Sequence, residues 1–159
     1  MALLESALDL DELGRFSFVA ARPLLVAVAH PGEDLRVVSQ SDDFQAPLAD
    51  TWPGDPLRAA ADLIAAARPS DWEPSPRFPF AGGAVVTLSY DLGRRYEAVP
   101  SNAVADTDCP DLHVAIYGRV LAFDHERGSV ELLGSGPGLS EGDVAFALAG
   151  SDEPAENEL

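Results

Sequence analysis

The sequence lacks lysine altogether and has a single cysteine, Cys109, among its 159 residues. One cysteine excludes a disulfide framework and a cysteine metal cluster. It lies in the polar stretch Thr-Asp-Cys-Pro-Asp, which has no neighbouring histidine to activate it, so we expect an inert thiol. The absence of lysine also excludes a phosphate-binding loop of the Gly-x-x-x-x-Gly-Lys-Ser/Thr type.

Positive charge of any kind is scarce. Ten basic residues stand against 27 acidic ones, which gives a net charge of −17. Nucleic acids and anionic membranes attract basic surfaces, so this balance argues against both as partners. No apolar run approaches the roughly 20 residues that a membrane-spanning helix needs. Met1–Leu10 carries Glu5 and Asp9 where a secretory signal has basic residues. We therefore expect a cytoplasmic protein.

Candidate catalytic residues are also few. The three histidines, His30, His113 and His125, are predicted to lie in a turn, a strand and a hairpin, and none has the spacing of a metal-binding motif. The chain has no Gly-x-Ser-x-Gly nucleophile elbow either. The residues alone therefore predict a globular domain without a visible active site.

What the sequence does contain is a series of short apolar strands. Hydrophobic residues make up 47% of the chain, enough for one domain with a buried core. Alternating or continuous apolar runs predict strands in seven segments: Met1–Ala7, Arg15–Ala20, Leu24–Ala29, Leu35–Gln40, Ala84–Tyr90, Asp111–His125 and Ser129–Leu133. We interpret the first four as an antiparallel meander, with Leu24–Ala29 buried on both faces. Asp111–His125 is predicted to be one long strand that ends in a hairpin.

Two helices complete the expected fold. Leu57–Arg68 is rich in alanine and begins after Asp55-Pro56, a helix cap followed by a proline of the first turn. Its predicted apolar face is Leu57, Ala60, Ala61, Ile64 and Arg68. Leu139–Ala149 is predicted to be a short helix capped by Ser140. The expectation is an α+β fold: antiparallel sheets in an incomplete sandwich, with one main helix and a short C-terminal helix, over residues 1–149. Residues 150–159 are expected to be an acidic, disordered tail or the start of a linker.

The stretch Phe78–Glu97, FPFAGGAVVTLSYDLGRRYE, is the one around which we expect the chain to be organised. Gly82 and Gly83 form a permissive corner, and Ala84–Tyr90 is predicted to be a buried strand. Two adjacent arginines follow it. One interpretation is that Arg94 and Arg95 hold a strand end or an interface in place. The other is that they pair with acidic neighbours at positions 91 and 97 in a capped turn.

This stretch carries a family resemblance. Pro79-Phe80-x-Gly82-Gly83-x(6)-Tyr90-Asp91-Leu92-Gly93-Arg94-Arg95-x-Glu97 resembles the N-terminal region of the chorismate-utilising synthases, namely anthranilate synthase component I and aminodeoxychorismate synthase component I. Leu3–Ser6 with Gly14–Phe18, and Pro110–Leu112 through Asp124–Gly128, are similar to further segments of that region in the same order. The form Gly93-Arg94-Arg95 is more like that of the aminodeoxychorismate enzymes.

The resemblance implies a function for the chain. In such synthases a larger region, absent from these 159 residues, binds chorismate and Mg²⁺ and carries out the chemistry, so no cofactor is expected here. A glutamine amidotransferase subunit delivers ammonia and is an expected partner, together with the chorismate-binding region. The aminodeoxychorismate branch leads to 4-aminobenzoate and folate, and the anthranilate branch leads to tryptophan. The implied role of this chain is structural or regulatory, with docking of subunits.

The resemblance also implies site residues. Part of a tryptophan pocket is expected, and its residues here are Leu4, Glu5, Ser6, Arg15, Phe16 and Ser17. Structural or interface roles are expected for Tyr90, Asp91, Gly93, Arg94, Arg95 and Glu97. Three hypotheses remain open at this point: an interaction half that needs a catalytic region, a domain that senses free tryptophan or a similar ligand, and an inactive truncated remnant. Sheet edges left uncovered would make the isolated chain marginally stable or self-associating.

Overall fold

The computed structural model describes residues 1–5, 14–44, 46–69, 72–100 and 107–149. The elements in these ranges are nine strands, two α-helices and a 3₁₀ helix. The strands are β1 (Ala2–Leu4), β2 (Phe16–Ala20), β3 (Leu25–Ala29), β4 (Leu35–Gln40), β5 (Thr51–Trp52), β6 (Gly83–Leu88), β7 (Leu112–Tyr117), β8 (Arg119–Asp124) and β9 (Ser129–Gly134). The helices are α1 (Pro56–Ala67), the 3₁₀ helix (Tyr90–Arg95) and α2 (Glu141–Ala149). The acidic tail lies outside the described residues.

The strands form two antiparallel sheets. One sheet has the order β1-β2-β8-β9 and the other has the order β5-β4-β3-β7-β6. This confirms the α+β class with antiparallel sheets. The predicted meander is wrong, because β2 pairs with β1 and β8 while β3 pairs with β4 and β7. The turn between β2 and β3 therefore carries the chain from one sheet to the other. The loop predicted around Trp52 also contains a two-residue strand, β5.

Gly118 divides the predicted long strand into β7 and β8. These two strands belong to different sheets, so the chain changes sheet at this residue. A side chain cannot fit there, because a Cβ at Gly118 would stand only 2.9 Å from the Ser135 carbonyl oxygen and closer still to that of Pro137. The apolar alternation continues through the break, which is why the pattern alone predicted a single strand. The hairpin after β8 forms as predicted, with Gly128 at φ 61°.

The helix α1 covers one face of the larger sheet. The Asp55 carboxylate accepts a hydrogen bond from the Arg58 backbone N–H at 2.9 Å, which confirms the predicted cap. The predicted apolar face is wrong by about one position around the helix. The residues that the helix buries are Pro56, Ala59, Ala60, Leu63 and Ala67. Leu63 is fully buried, and it packs among buried side chains of β3, β4 and β7.

Two apolar clusters lie on the two faces of the larger sheet. The first is enclosed between α1 and the sheet, and it includes Leu25, Leu35 and Val114. The second lies between the two sheets and is aromatic. Phe16, Phe18, Phe78 and Phe80 contribute rings to it, together with Tyr117. The two sheets therefore pack against each other around an aromatic core, while α1 closes the opposite face.

The strand β6 is an edge strand and not the buried strand that its apolar sequence predicted. It pairs with β7 on one side, and burial falls along its length. Val86 is 41% exposed and Leu88 is 51% exposed. The reason is that α1 packs against β4, β5 and β7, which leaves the end of β6 outside the helix-covered area. A hydrophobic run is consistent with burial but does not by itself say whether neighbouring elements cover it.

Candidate functional site

The expected ligand-contacting residues lie at the start of β2 and on its partner β1. Leu4 is opposite Phe18 in the antiparallel register, and Glu5 directly follows β1. Arg15, Phe16 and Ser17 open β2, so this part of the predicted set shares one corner of the smaller sheet. Ser6 lies outside the described residues. The corner brings together the described members of this set, and the polar groups of Arg15 and Ser17 already have partners within the chain.

The strongest of these partners is Asp124, a fully buried carboxylate at the end of β8. Arg15 donates to both of its oxygens, with Nε 3.1 Å from Oδ1 and Nη2 2.9 Å from Oδ2. Arg77 lies in the segment between α1 and β6, residues 68–82, which is called the connector below. It donates to Oδ2 at 3.0 Å. The backbone N–H of Arg127 donates to Oδ1 at 3.3 Å. This set, Arg15, Arg77 and Asp124, is called the arginine–aspartate cluster below.

The electrostatics of the cluster favour ionised groups. The hydrogen bonds from Arg15, and then from Arg77, hold the pKa of Asp124 far below its usual range, against the opposing effect of desolvation. The same contact raises the pKa of Arg15. Arg77 also pairs with Glu131 and donates to the Ser129 hydroxyl at 3.1 Å. The cluster therefore ties β2, the connector and the β8–β9 hairpin together through charge-assisted hydrogen bonds.

Ser17 and His125 form a second polar contact beside the cluster, with Oγ 2.8 Å from Nε2. Ser17 is buried and His125 is exposed. A serine–histidine pair next to an aspartate resembles a nucleophile with its base. The oxygens of Asp124, however, accept hydrogen bonds from arginines, and they do not orient the imidazole. Among the described residues, the arrangement therefore links β2 to the residue after β8 and does not form a proton relay.

Phe16 completes this corner. Its ring lies 5.3 Å from that of Phe78, measured between centroids, and 6.3 Å from that of Phe18. The guanidinium groups of Arg15 and Arg77 lie over the Phe16 and Phe78 rings, at 4.8 and 4.7 Å. Two ring–cation pairs thus flank the cluster, and they fix the orientation of both arginines.

The second predicted set lies in and after the 3₁₀ helix. Ser89 caps this helix, and its hydroxyl also donates to Asp111 at 3.0 Å. Arg94 pairs with Asp91 at 2.8 Å, as the capped-turn interpretation predicted. Arg95 differs from that interpretation, because it donates to the Glu33 backbone carbonyl at 3.0 Å.

Tyr96 extends the contacts of this segment to α1. Its hydroxyl donates to the Asp55 carboxylate at 2.6 Å, and this bond is the foremost cause of the lowered pKa of Asp55. Burial, followed by the bond to Asp55, raises the pKa of Tyr96. The 3₁₀ segment therefore anchors the N-terminal end of α1 and the β3–β4 turn. Sequence analysis did not identify Tyr96, Asp55 or Glu33 as part of this set.

We expect Tyr96→Phe to lower the free energy of unfolding by about 1 kcal/mol, the usual net value of one hydrogen bond. Chemical denaturation at pH 7 measures the loss. Tyr90→Phe is the matched control, since Tyr90 is 90% exposed and its replacement should leave the stability unchanged. Because the folded-state pKa of Tyr96 is raised, its contribution is complete below about pH 10 and is lost as the pH rises further. Equal effects of the two substitutions would contradict the anchoring role.

A cavity of about 450 Å³ lies apart from both predicted sets. It is bordered by the C-terminal end of α1, the connector and the start of β6, with the rings of Trp72, Phe78 and Phe80 in its wall. Within the described ranges, no group of three histidine, cysteine or acidic side chains is arranged to hold a metal ion. No helix in the same ranges is long and apolar enough to span a membrane.

Comparisons with known proteins place this arrangement in a family. No protein-family model matches the chain. It is 34% identical over 130 residues to aminodeoxychorismate synthase component 1 of Klebsiella aerogenes and 36% identical over 133 residues to that of Escherichia coli K12; each match covers 82% of this chain and 27% of the relative. It is 32% identical over 132 residues to anthranilate synthase component 1 of Mycobacterium bovis, covering 82% of this chain and 24% of that one. The chain belongs to the aminodeoxychorismate and anthranilate synthase component I family.

A solved structure agrees at the level of the fold. Anthranilate synthase component I from Streptococcus pneumoniae matches with a TM-score of 0.61 at 22% identity, over 97% of this chain and 33% of that one. The chain spans about a quarter of the length of the curated relatives it matches. The resemblance stated from the sequence motifs is confirmed, and the family members are components of multi-component synthases by name.

Proposed function

We propose that this chain is the N-terminal, non-catalytic domain of a synthase component I of the aminodeoxychorismate type, with the anthranilate type as the alternative. The observation that carries the proposal is the chain-wide similarity to relatives about four times as long. Over matches of about 130 residues, the identities to the two aminodeoxychorismate relatives are slightly higher than the identity to the anthranilate relative of Mycobacterium bovis, and this difference favours the aminodeoxychorismate branch. The chemistry then belongs to a chorismate-binding region, whether it is encoded with this chain or apart from it, and that region would hold the Mg²⁺.

The arginine–aspartate cluster supports a structural role for this domain. Most of its polar groups are paired with each other, although Arg77 Nε is buried without a hydrogen-bond partner among the described residues. Within the same residues, no aspartate orients the Ser17–His125 contact. The cluster holds the corner where β1 and β2 expose Leu4 and Glu5. In our proposal this corner provides one wall of a tryptophan pocket, with Ser6 and Ser17 as polar contacts, and the chorismate-binding region provides the other wall.

The docking surface in the proposal is the end of β6 together with the residue that opens the 3₁₀ helix. It consists of Val86, Leu88 and Tyr90, which are the exposed apolar side chains of that segment. The unpaired side of an edge strand offers backbone donors and acceptors, and adjacent exposed apolar side chains typically mark an interaction surface. We assign this docking surface to contact with the chorismate-binding region or with the glutamine amidotransferase.

Gel filtration of the reconstituted mixture tests the docking. This chain, the matching chorismate-binding region and the glutamine amidotransferase are purified separately and mixed. We expect co-elution with the unchanged chain, and loss of co-elution when Val86→Asp and Leu88→Asp are combined. Val38→Asp, at an exposed apolar position on β4, is the matched control and should still co-elute. Circular dichroism confirms that each variant is folded. Failure of the unchanged chain to co-elute would contradict the proposal.

A further inference from the structure

The cavity described above has the size of a small-molecule site. Its volume of about 450 Å³ lies within the range of roughly 300–1,000 Å³ that is typical of ligand pockets. None of the described residues of the predicted tryptophan pocket borders it, and neither does the docking surface. It is therefore a separate feature of the domain.

The wall of the cavity is aromatic, and two of its rings pack against the core between the two sheets. Trp72, Phe78 and Phe80 border it, with Ile64 of α1 on the facing side. Phe78 packs against Phe16, and Phe80 meets the Phe18 ring edge-on at 5.8 Å between centroids. Since the core fixes these two rings, a planar apolar ligand would meet a preformed surface and would pay little to order it.

Among the described residues, the rim of the cavity carries one positive charge. Arg68, the residue after α1, is the charged side chain among the described residues that border the cavity, and no carboxylate borders it there. Its guanidinium carbon lies 4.3 Å from the centroid of the Trp72 ring. A cation at the mouth of an apolar cavity is notable in a chain with a net charge of −17. A guanidinium on an aromatic ring keeps its edge N–H groups free to bind a carboxylate in a two-point contact.

We propose that this cavity binds a planar aromatic monocarboxylate, with the ring against Trp72 and Phe78 and the carboxylate paired with Arg68. The end of α1 at Ala67 also borders the cavity, and a helix C-terminus carries partial negative charge. This end opposes any carboxylate placed directly beside it, so in the proposal the carboxylate lies at the Arg68 guanidinium and the edge of the ring, with a hydrogen-bond donor, lies near Ala67. The inference rests on the cavity alone, and it stands or falls independently of the docking function.

Calorimetric titration of the full chain with 2-naphthoate and with 2-naphthamide tests the proposal. The two probes share their shape and differ in charge. We expect saturable binding of naphthoate with a submillimolar dissociation constant, and about tenfold weaker binding of naphthamide. Arg68→Gln should weaken naphthoate binding about tenfold and leave naphthamide binding unchanged. Arg58→Gln is the matched control, because Arg58 lies on the same helix, does not border the cavity, and its side chain pairs with Asp62.

A second variant tests the location independently of charge. Ser135 is exposed and borders the cavity, so Ser135→Trp should fill the mouth without affecting the fold and should abolish binding of both probes. Absence of saturable naphthoate binding up to 10 mM (about the weakest affinity such a site would show) would overturn the proposal. Equal affinity for the two probes, or unchanged binding by the Ser135→Trp variant, would also overturn it. Loss of naphthoate binding in Ser17→Ala alone would assign the binding to the predicted tryptophan corner instead.

Discussion

Replacing Asp124 with asparagine is expected to lower the melting temperature at pH 7 by on the order of 10 °C. The carboxylate is inaccessible to solvent and accepts hydrogen bonds from Arg15 and Arg77 as well as from a backbone N–H. An asparagine amide has one acceptor oxygen and presents donors where the arginines also donate. The guanidinium groups of Arg15 and Arg77 would then lose their counter-charge at the corner that joins β2, β8 and the connector. Leaving partly buried charges without a partner is among the most destabilising changes to a fold.

The matched control is Asp91→Asn. Asp91 also pairs with an arginine, at 2.8 Å from Arg94, but its side chain is 58% exposed. Exposed pairs contribute little, so we expect a change of no more than about 2 °C. Differential scanning calorimetry of both variants measures the contrast. Similar melting temperatures for Asp124→Asn and Asp91→Asn would show that the cluster does not hold the corner.

The effect of Asp124 should also depend on pH. The arginines keep the pKa of Asp124 far below its usual range in the folded chain. A group with a lowered folded-state pKa stabilises fully above its unfolded value of about 4, and the stabilisation is lost as the pH falls below that value. The difference in melting temperature between the unchanged chain and Asp124→Asn should therefore be constant from pH 7 to about 5 and shrink between about pH 4 and 2. A constant difference at acid pH would contradict this origin.

Gly134→Ala is expected to destabilise the fold by about 3 kcal/mol or more. Gly134 has φ 96°, a conformation that costs an alanine about 1–2 kcal/mol. A Cβ at this position would also stand 2.8 Å from the Ala81 carbonyl oxygen and closer still to that of Gly118. Both obstacles are backbone atoms, one at Gly118, where the chain changes sheet, and one at Ala81, just before β6. They cannot move aside without opening the contacts of β9 with these two segments. Overpacking of this kind adds about 1–3 kcal/mol.

Gly136→Ala separates the cost of the positive φ from the cost of the steric overlap. Gly136 also has a positive φ, 78°, but a Cβ there would meet no atom within 4 Å. It should cost about 1 kcal/mol, which is the conformational part alone. Urea denaturation of the two variants gives the comparison. If the two substitutions cost the same, the close backbone approach at Gly134 is not what fixes the junction of the sheets.

The sequence predicted most elements because their signals are local. Strand alternation at Arg15–Ala20 and the proline and cap around α1 depend only on neighbours in the chain, and both are confirmed. Whether an apolar strand is buried, however, depends on which elements distant in the sequence pack over it. The apolar run of β6 was therefore assigned to the interior, although α1 packs elsewhere and leaves Val86 and Leu88 exposed. The sequence pattern did not predict the break at Gly118 for the same reason, because the break is caused by the close approach of the Ser135 and Pro137 backbone.

The candidate site was predictable only in part. The family motifs identified the 3₁₀ segment, and the charges around it indicated the Arg94–Asp91 pair. Asp124 was predicted to lie where the strand Asp111–His125 meets its hairpin, without a role of its own. In the structure it continues the buried face of Val120 and Ala122 along β8, a signal that was present in the alternation. The role of Arg77 could not be predicted, because its connector has no periodicity and the contact with Asp124 spans 47 residues.

We propose that this domain supports synthesis carried out by a chorismate-binding region. The most direct measurement is a reconstituted assay with chorismate, glutamine, Mg²⁺, the matching chorismate-binding region and the amidotransferase, with and without this chain. We predict that product forms only when the chain is present, and that the product is aminodeoxychorismate; anthranilate would assign the other branch. Equal product formation with and without the chain would contradict the claim.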